Sequence, residues 1–275
     1  MVLGSEALQL VAGLTISVAI TLLSYRFKAV NSSGAWGMVI IGTIVFGLGG
    51  LLFAAPLLFF FVSSSLFSRI RTAGKDKALR TVHKSGPRDF WQVMANGGVG
   101  AVAVCVYFAT GNLIWFFPYL GSLCEATSDT WSTEIGTLHP DSPISLVTLK
   151  RVEPGQSGGI TIIGTLAAVA GSPMTVLAGY TTGISLGQAA LLDMRYWLVA
   201  ANCGLAGSLF DSFLGASLQA QYQCPVCRRM AEDRIHCGQE AVHIRGWRFV
   251  GNDLVNFGST LFGALITAVI IIFGI

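Results

Sequence analysis

Charge is what this sequence has least of. Asp, Glu, Lys and Arg make up 11% of its 275 residues, where soluble domains carry about 25%. So little charge cannot clothe a water-soluble core, and with 53% hydrophobic residues the composition is that of a polytopic membrane protein. Also missing is any Gly-x-x-x-x-Gly-Lys-Ser/Thr motif, which excludes a P-loop kinase. The six cysteines do not form a disulfide-framework pattern; Cys105, Cys124 and Cys203 sit in or beside apolar runs as packing residues. Residues 1–25 lack a basic start and carry Glu6 as their one charge, so no secretory signal is expected. The net charge of +3 is small, and no nucleic-acid partner is expected.

What is present is a series of apolar runs at about 7–25, 35–67, 92–124, 158–192, 196–218 and 254–275. A membrane helix needs about 20 residues. The 35–67 run, about 50 Å long as one helix, is expected to break near Gly47-Leu48-Gly49-Gly50, and the 92–124 run near Gly111-Asn112. Gly171-Ser172-Pro173 either kinks one helix in 158–192 or divides it into two. The expected fold is an all-α transmembrane bundle of about eight helices, with a range of six to nine, forming a single domain over 1–275. The polar loops are then 26–33, 68–90, 127–157 and 219–251. Loop 68–90 is rich in Lys and Arg, which places it in the cytoplasm. If the long runs are hairpins, all four loops share that face and both termini lie outside.

Three acids fall within ten residues, Glu125, Asp129 and Glu134, directly after 33 uncharged residues. Carboxylates beside hydrocarbon are costly and usually pair, bind cations or handle a polar substrate. Glu125 and Asp129 share a helix face; Glu134 joins them only if the helix breaks. With Thr127, Ser128, Thr130, Ser132 and Thr133 nearby, the oxygen density suits Mg²⁺. The alternative is a solvated loop with a helix cap at Ser128. Asp211 is the one charge between Tyr196 and Cys227, and Gly207, Asp211, Gly215 and Gln219 fall on one face as a stripe of small and polar residues.

Lys150-Arg151 precede Gly155-Gln156-Ser157-Gly158-Gly159 and a helix expected at about Ile160. Flexible glycines, a helix start and two bases suit a phosphate. Gln92 and Asn96 share a face, while Lys75, Lys77, Arg80 and Lys84 suit either a phosphate or anionic headgroups. Asn252 is expected to cap the last helix, with Asp253 favoured by its dipole and Asn256 facing inward. Cys224-Pro225-Val226-Cys227 with His236-Cys237 has zinc-like ligand types, in a cytoplasmic loop over 219–251. Adjacent His236 and Cys237 are not expected both to reach one ion, which leaves His243 or water as a fourth ligand; reduced or redox cysteines are the other reading.

Taken together, Ser63-Ser64-Ser65-Leu66, Lys75-Asp76, Gln92–Gly98, Asp129–Gly136, Pro154–Gly159, Gly207–Gln219 and Asn252-Asp253 with Asn256 resemble an integral-membrane family. That family contains the plant and cyanobacterial phytyl-phosphate kinases and is distantly like dolichol kinases and membrane cytidylyltransferases. The resemblance spans nearly the whole chain. It implies transfer of a phosphoryl group from a nucleoside triphosphate, CTP by analogy, to a polyprenyl monophosphate such as phytyl or geranylgeranyl phosphate. On that reading Asp129 and Glu134, with Glu125, Asp211 or Asp253, hold Mg²⁺. Lys150, Arg151 and Gly155–Gly159 bind phosphates, and Asn96, Gln156, Gln219, Asn252 and Asp253 orient the substrates or the metal. The expected setting is a prokaryotic cytoplasmic membrane with the site on its cytoplasmic face. Cytidylyl transfer to a lipid phosphate, or a small-solute transporter with intramembrane carboxylates, are the alternatives.

Overall fold

The structure is a computed structural model and describes residues 2–78, 86–139, 141–188 and 193–274, the first five by their backbone alone. Arg80 and Lys84 therefore lie outside the described residues. The long helices are α1 (Val2–Arg26), α2 (Ser32–Ile44), α3 (Gly50–Arg69), α5 (Phe90–Thr110), α6 (Phe116–Gly136), α7 (Ile162–Ser185), α8 (Met194–Ser217) and α9 (Asn252–Phe273), with a short α4 at Ala73–Ala78. Among the described residues, six helical stretches are long and apolar enough to cross a membrane; α2 and α3 count as one stretch, and α6 is not among them because its second half is polar. The all-α bundle and its helix number are as expected.

The two expected breaks occur where glycine permits them. A π-helical turn at Val45–Gly49 ends in Gly50 at φ +66°, which turns the chain back from α2 into α3. Gly111 at φ +64° ends α5, and Asn112 caps the short 3₁₀ turn before α6. Both positions need the left-handed region that only glycine enters without cost. One alternative is settled and one expectation fails. Of the two readings of 158–192, the structure has a single helix over Ile162–Ser185, with Pro173 inside α7 without ending it. The 127–157 loop begins late: α6 continues through the acidic segment to Gly136, so Ser128 is mid-helix and caps nothing.

The turns put every polar loop at one end of the bundle. Val30 bridges Arg88, Arg88 donates to Ser65, Lys75 pairs with Glu134, and Gln219 bridges Trp247. The opposite end is closed by aromatics: Trp197 meets Phe116, Phe117 and Tyr180 at 5.7, 5.5 and 5.1 Å, and Phe53 meets Phe116 at 5.0 Å. Hydrocarbon offers no hydrophobic drive for helices to associate, so close packing must supply it. Small residues allow this around α6: Gly204 of α8 backs onto Cys124, and Gly121 of α6 faces Gly263 and Thr267 of α9.

Residues 219–251 are not a plain loop. They form an antiparallel sheet of β3 (Gln221–Gln223), flanked by β4 (Met230–Ala231) and β7 (Val242–Arg245), and a hairpin of β5 (Ile235–His236) and β6 (Gln239–Glu240). Two further short strands, β1 (Ile144–Ser145) and β2 (Gly159–Ile160), pair and fix the base of the 155–159 loop.

Candidate active site

At the polar end a cavity of about 590 Å³ opens between α4, α6, α8, the start of α9 and the 155–159 loop. Its lining includes Lys75, Gln92, Asp129, Glu134, Gly155–Gly159, Asp211, Gln219, Asn252 and Asn256. The fold thus gathers residues up to 228 positions apart in sequence, from Lys28 to Asn256, around one space.

Asp129 and Asp211 form its floor. Their carboxyls are in hydrogen-bond contact with each other, and Ser259 Oγ donates to Asp211 Oδ2 at 2.8 Å. No Lys or Arg of the described residues makes an ion pair with either. Glu125 lies one turn deeper, 1% exposed, with Oε1 buried and unbonded. Gly207 of α8 makes room for it, since a Cβ there would stand 2.6 Å from Glu125 Cγ, and Gly263 of α9 gives way on the other side. Two touching carboxyls above a third, with an unused oxygen, repel one another unless a proton or cation lies between them. Carboxylate oxygens are the donors a hard divalent ion takes; Asp129 and Asp211 supply the adjacent pair, and Glu125 lies a turn away without converging on them.

Glu134 stands apart from this set. Because α6 does not break, it points to a different side of the helix and pairs with Lys75. Lys75 is 4% exposed and also donates to Phe67 O and Ser68 O at 2.9 and 3.2 Å. Next to this pair is Arg88, which lines the cavity, donates to Ser65 Oγ at 3.0 Å and lies over the Phe61 ring. Burial lowers the Arg88 pKa, and the nearby Glu134 charge counters that.

The glycine loop is held from both sides. Gly155 and Gly158 take φ of +83° and +75°, and a Cβ on Gly158 would run into the Ala216 backbone, so the loop can lie flat on α8 only with glycine there. Gln156 Nε2 donates to Gln221 Oε1 at 2.9 Å, Arg245 Nε donates to the same oxygen at 2.8 Å, and Ser157 Oγ donates to Glu232. Gln219 Nε2 donates to Glu232 Oε1 at 2.9 Å. The expected helix start near Ile160 is instead at Ile162, with Thr161 Oγ1 accepting from Gly164 N.

Several expected residues lie elsewhere. Lys150 and Arg151 are exposed and outside the cavity, because the β1–β2 pairing turns them away from the glycine loop. Lys77 is exposed on the far side of α4 from buried Lys75. Asp253 occupies the first turn of α9 without lining the cavity. Asn252 does not cap α9; Gly251 holds the cap position, leaving the Asn252 side chain to the cavity. Thr127 Oγ1 accepts from Thr175 Oγ1 and Ser128 Oγ donates to Ala168 O, serving α6–α7 packing, while Thr130, Ser132 and Thr133 line the cavity. Gln92 uses its Oε1 in a capping box with Asp89.

Asn96 belongs to a second, narrow cleft between α1, α2, α3 and α5, lined by Ile20, Met38, Ile41, Phe46, Phe60, Phe61 and Val93. Arg88 and Gln92 line both this apolar cleft and the polar cavity. Arg88 and Glu232 are the site residues that sequence reasoning passed over. Arg88 had a signal, a base directly before an apolar helix; Glu232 had none.

The cysteine cluster also differs from expectation. Cys224, Cys227, His236 and Cys237 present ligand atoms all within 4.8 Å of one another. His236 and Cys237 converge despite adjacency because Cys237 takes φ +52° in the tight β5–β6 turn. His243 is not near them; it packs on the Tyr222 ring at 5.4 Å.

Residues 15–264 match the family described as Integral membrane protein DUF92. The chain is 29% identical to Protein PGR of Arabidopsis thaliana over 286 aligned positions, covering 96% of this chain and 97% of that protein. It is 31% identical over 213 positions to an uncharacterized membrane protein of Methanocaldococcus jannaschii, covering 76% and 83%. It is 23% identical over 244 positions to Protein VTE6, chloroplastic, of Arabidopsis thaliana, covering 86% and 63%. No solved structure matches.

Proposed function

The chain belongs to the integral-membrane protein DUF92 family, and from that premise we propose that it is a lipid-phosphate kinase, moving a phosphoryl group from a nucleoside triphosphate to a polyprenyl monophosphate. The family membership agrees with the motif resemblance to phytyl-phosphate kinases, and the similarity to Protein VTE6 supports the same direction. The observation that carries the reading is the junction of two unlike spaces: an apolar cleft and an acid-floored cavity share Arg88 and Gln92. That junction offers an amphiphile an apolar cleft of about 60 Å³ for the first part of its tail and a polar cavity for its anionic head.

The lipid phosphate is the nucleophile and is already ionised at neutral pH, so no strong general base is needed. One of its oxygens attacks the γ-phosphorus, the bond from that phosphorus to the β-bridging oxygen breaks, and a nucleoside diphosphate leaves. Asp129 and Asp211, with Glu125 behind them, would hold Mg²⁺, which when bound neutralises triphosphate charge. The chain's own work is positioning. Arg88 holds the lipid phosphate at the mouth of the cleft. The 155–159 loop offers backbone N–H groups to the nucleotide phosphates. Glu134 fixes Lys75 at the rim, where its charge offsets phosphate. Thr130, Asn252 and Asn256 orient the remaining oxygens. The loop-rich end faces the cytoplasm, where the nucleotide is, consistent with the basic 68–90 segment.

The test is turnover of purified protein with geranylgeranyl or phytyl phosphate and γ-labelled CTP. Label in a prenyl diphosphate, with CDP released, is the expected result. Pyrophosphate release with a CDP-lipid would assign cytidylyl transfer instead, and no product with any of the four nucleotides would overturn both.

A further inference from the structure

The segment after α8 has too little core to hold its shape. Residues 219–251 bury six mostly small hydrophobic residues, Ala220, Tyr222, Cys224, Ala231, Ala241 and Val250, and three of them, Ala220, Tyr222 and Ala241, pack as one cluster. Units below about 40 residues usually need a metal, a disulfide or a partner to persist. The cysteines here are free. Yet the segment makes two costly backbone choices, Arg228 at φ +61° and Cys237 at φ +52°, a region that residues with a Cβ seldom enter. Both lie beside the same four side chains.

We infer that Cys224, Cys227, His236 and Cys237 form a closed structural zinc site, and that this site holds Glu232 over the cavity. The ligand types are those of a Cys₃His centre. The edges agree: Cys227 Sγ and Cys237 Sγ lie 3.6 and 3.3 Å from His236 Nδ1, where sulfur and nitrogen on one tetrahedral zinc stand about 3.6 Å apart. Arg228 N closes the first knuckle onto Cys224 O at 3.0 Å, and Cys224 N closes it onto Arg229 O at 3.0 Å. Four protein ligands leave no open position, so the role is structural.

The consequence for the cavity follows from chain order. Glu232 sits between the second and third ligands, in the stretch from Cys227 to His236 that the ion would close into a loop. Its carboxylate accepts from Gln219 at the end of α8 and from Ser157 of the glycine loop. The ion therefore ties the 155–159 glycine loop to the end of the helix that carries Asp211. This holds whether or not the reaction is the one proposed above.

The experiment uses the full chain in detergent micelles. Metal analysis should find about one zinc per chain, and cobalt added after chelator stripping should give the thiolate charge-transfer and tetrahedral d–d bands of a Cys₃His site. Cys224→Ser and Cys237→Ser should weaken or change that spectrum, and Cys105→Ser, on α5 away from the cluster, should not. Hydrogen exchange on the unaltered chain should speed up across 219–232 on stripping and slow again when zinc returns. No metal together with no cobalt spectrum, or a spectrum unchanged in both variants, would overturn the site. Exchange across 219–232 that ignores zinc would overturn its hold on Glu232.

Discussion

In the helix bundle, Glu125 is enclosed by α8 and α9 because glycines at 207 and 263 let helix backbones close around it. Across the cavity, Glu232 is presented by a segment whose packed hydrophobic cluster is three residues. The same kind of group is thus fixed in two ways, by helix packing on one side and by a ligand cluster on the other. Packing is cooperative and spread over many helices, so it tolerates the loss of single polar contacts. A ligand cluster is local and fails as a unit. Placing one wall on each would let the acid floor stay rigid while the wall above it follows the proposed metal.

Asp129→Asn and Asp211→Asn should separate function from packing most sharply. Each should lower turnover by about 100-fold or more, as loss of a preorganised electrostatic group does, while leaving the thermal midpoint near that of the parent. A variant with Asp129→Ala that keeps full turnover would remove that residue from the metal site. Gly207→Val attacks packing instead. Its Cβ would meet Glu125 Cγ at 2.6 Å, and the resulting shift should cost about 1–3 kcal/mol, read as a lower unfolding midpoint in detergent. Ser259→Ala should cost about 1 kcal/mol, the net worth of one buried hydrogen bond, with a smaller loss of turnover than either Asp variant. Lys150→Ala with Arg151→Ala should change turnover by less than about 2-fold, since exposed charges away from a site contribute little. A large loss there would mean that the 143–159 segment closes further over the cavity during turnover.

Much of this fold was legible from residue types. Gly47–Gly50 and Gly111 marked real reversals because left-handed backbone excludes most other residues. Pro173 left two readings open, because a membrane helix can absorb a proline where neighbours satisfy the freed backbone groups. The acidic segment hid ten further residues of α6, since polar residues normally signal a loop and here face an internal cavity. The acids themselves were visible from their cost in hydrocarbon. Their division was not: Glu134 is set apart by its pairing with Lys75, 59 positions away in sequence. Arg88 and Glu232 depend on contacts between distant segments, such as Ser157 with Glu232, which no local pattern encodes. The convergence of His236 and Cys237 required the positive φ of Cys237, which residue types alone do not announce.

The central claim is that one amphiphile spans the apolar cleft and the acid cavity through Arg88 and Gln92. It is tested most directly by photolabelling with a prenyl phosphate carrying a photoreactive group in its tail. Label should map to α2 and α5 near Ile41 and Val93, and excess geranylgeranyl phosphate should compete it away. Label confined to other helices, or label that competitor does not displace, would contradict the account.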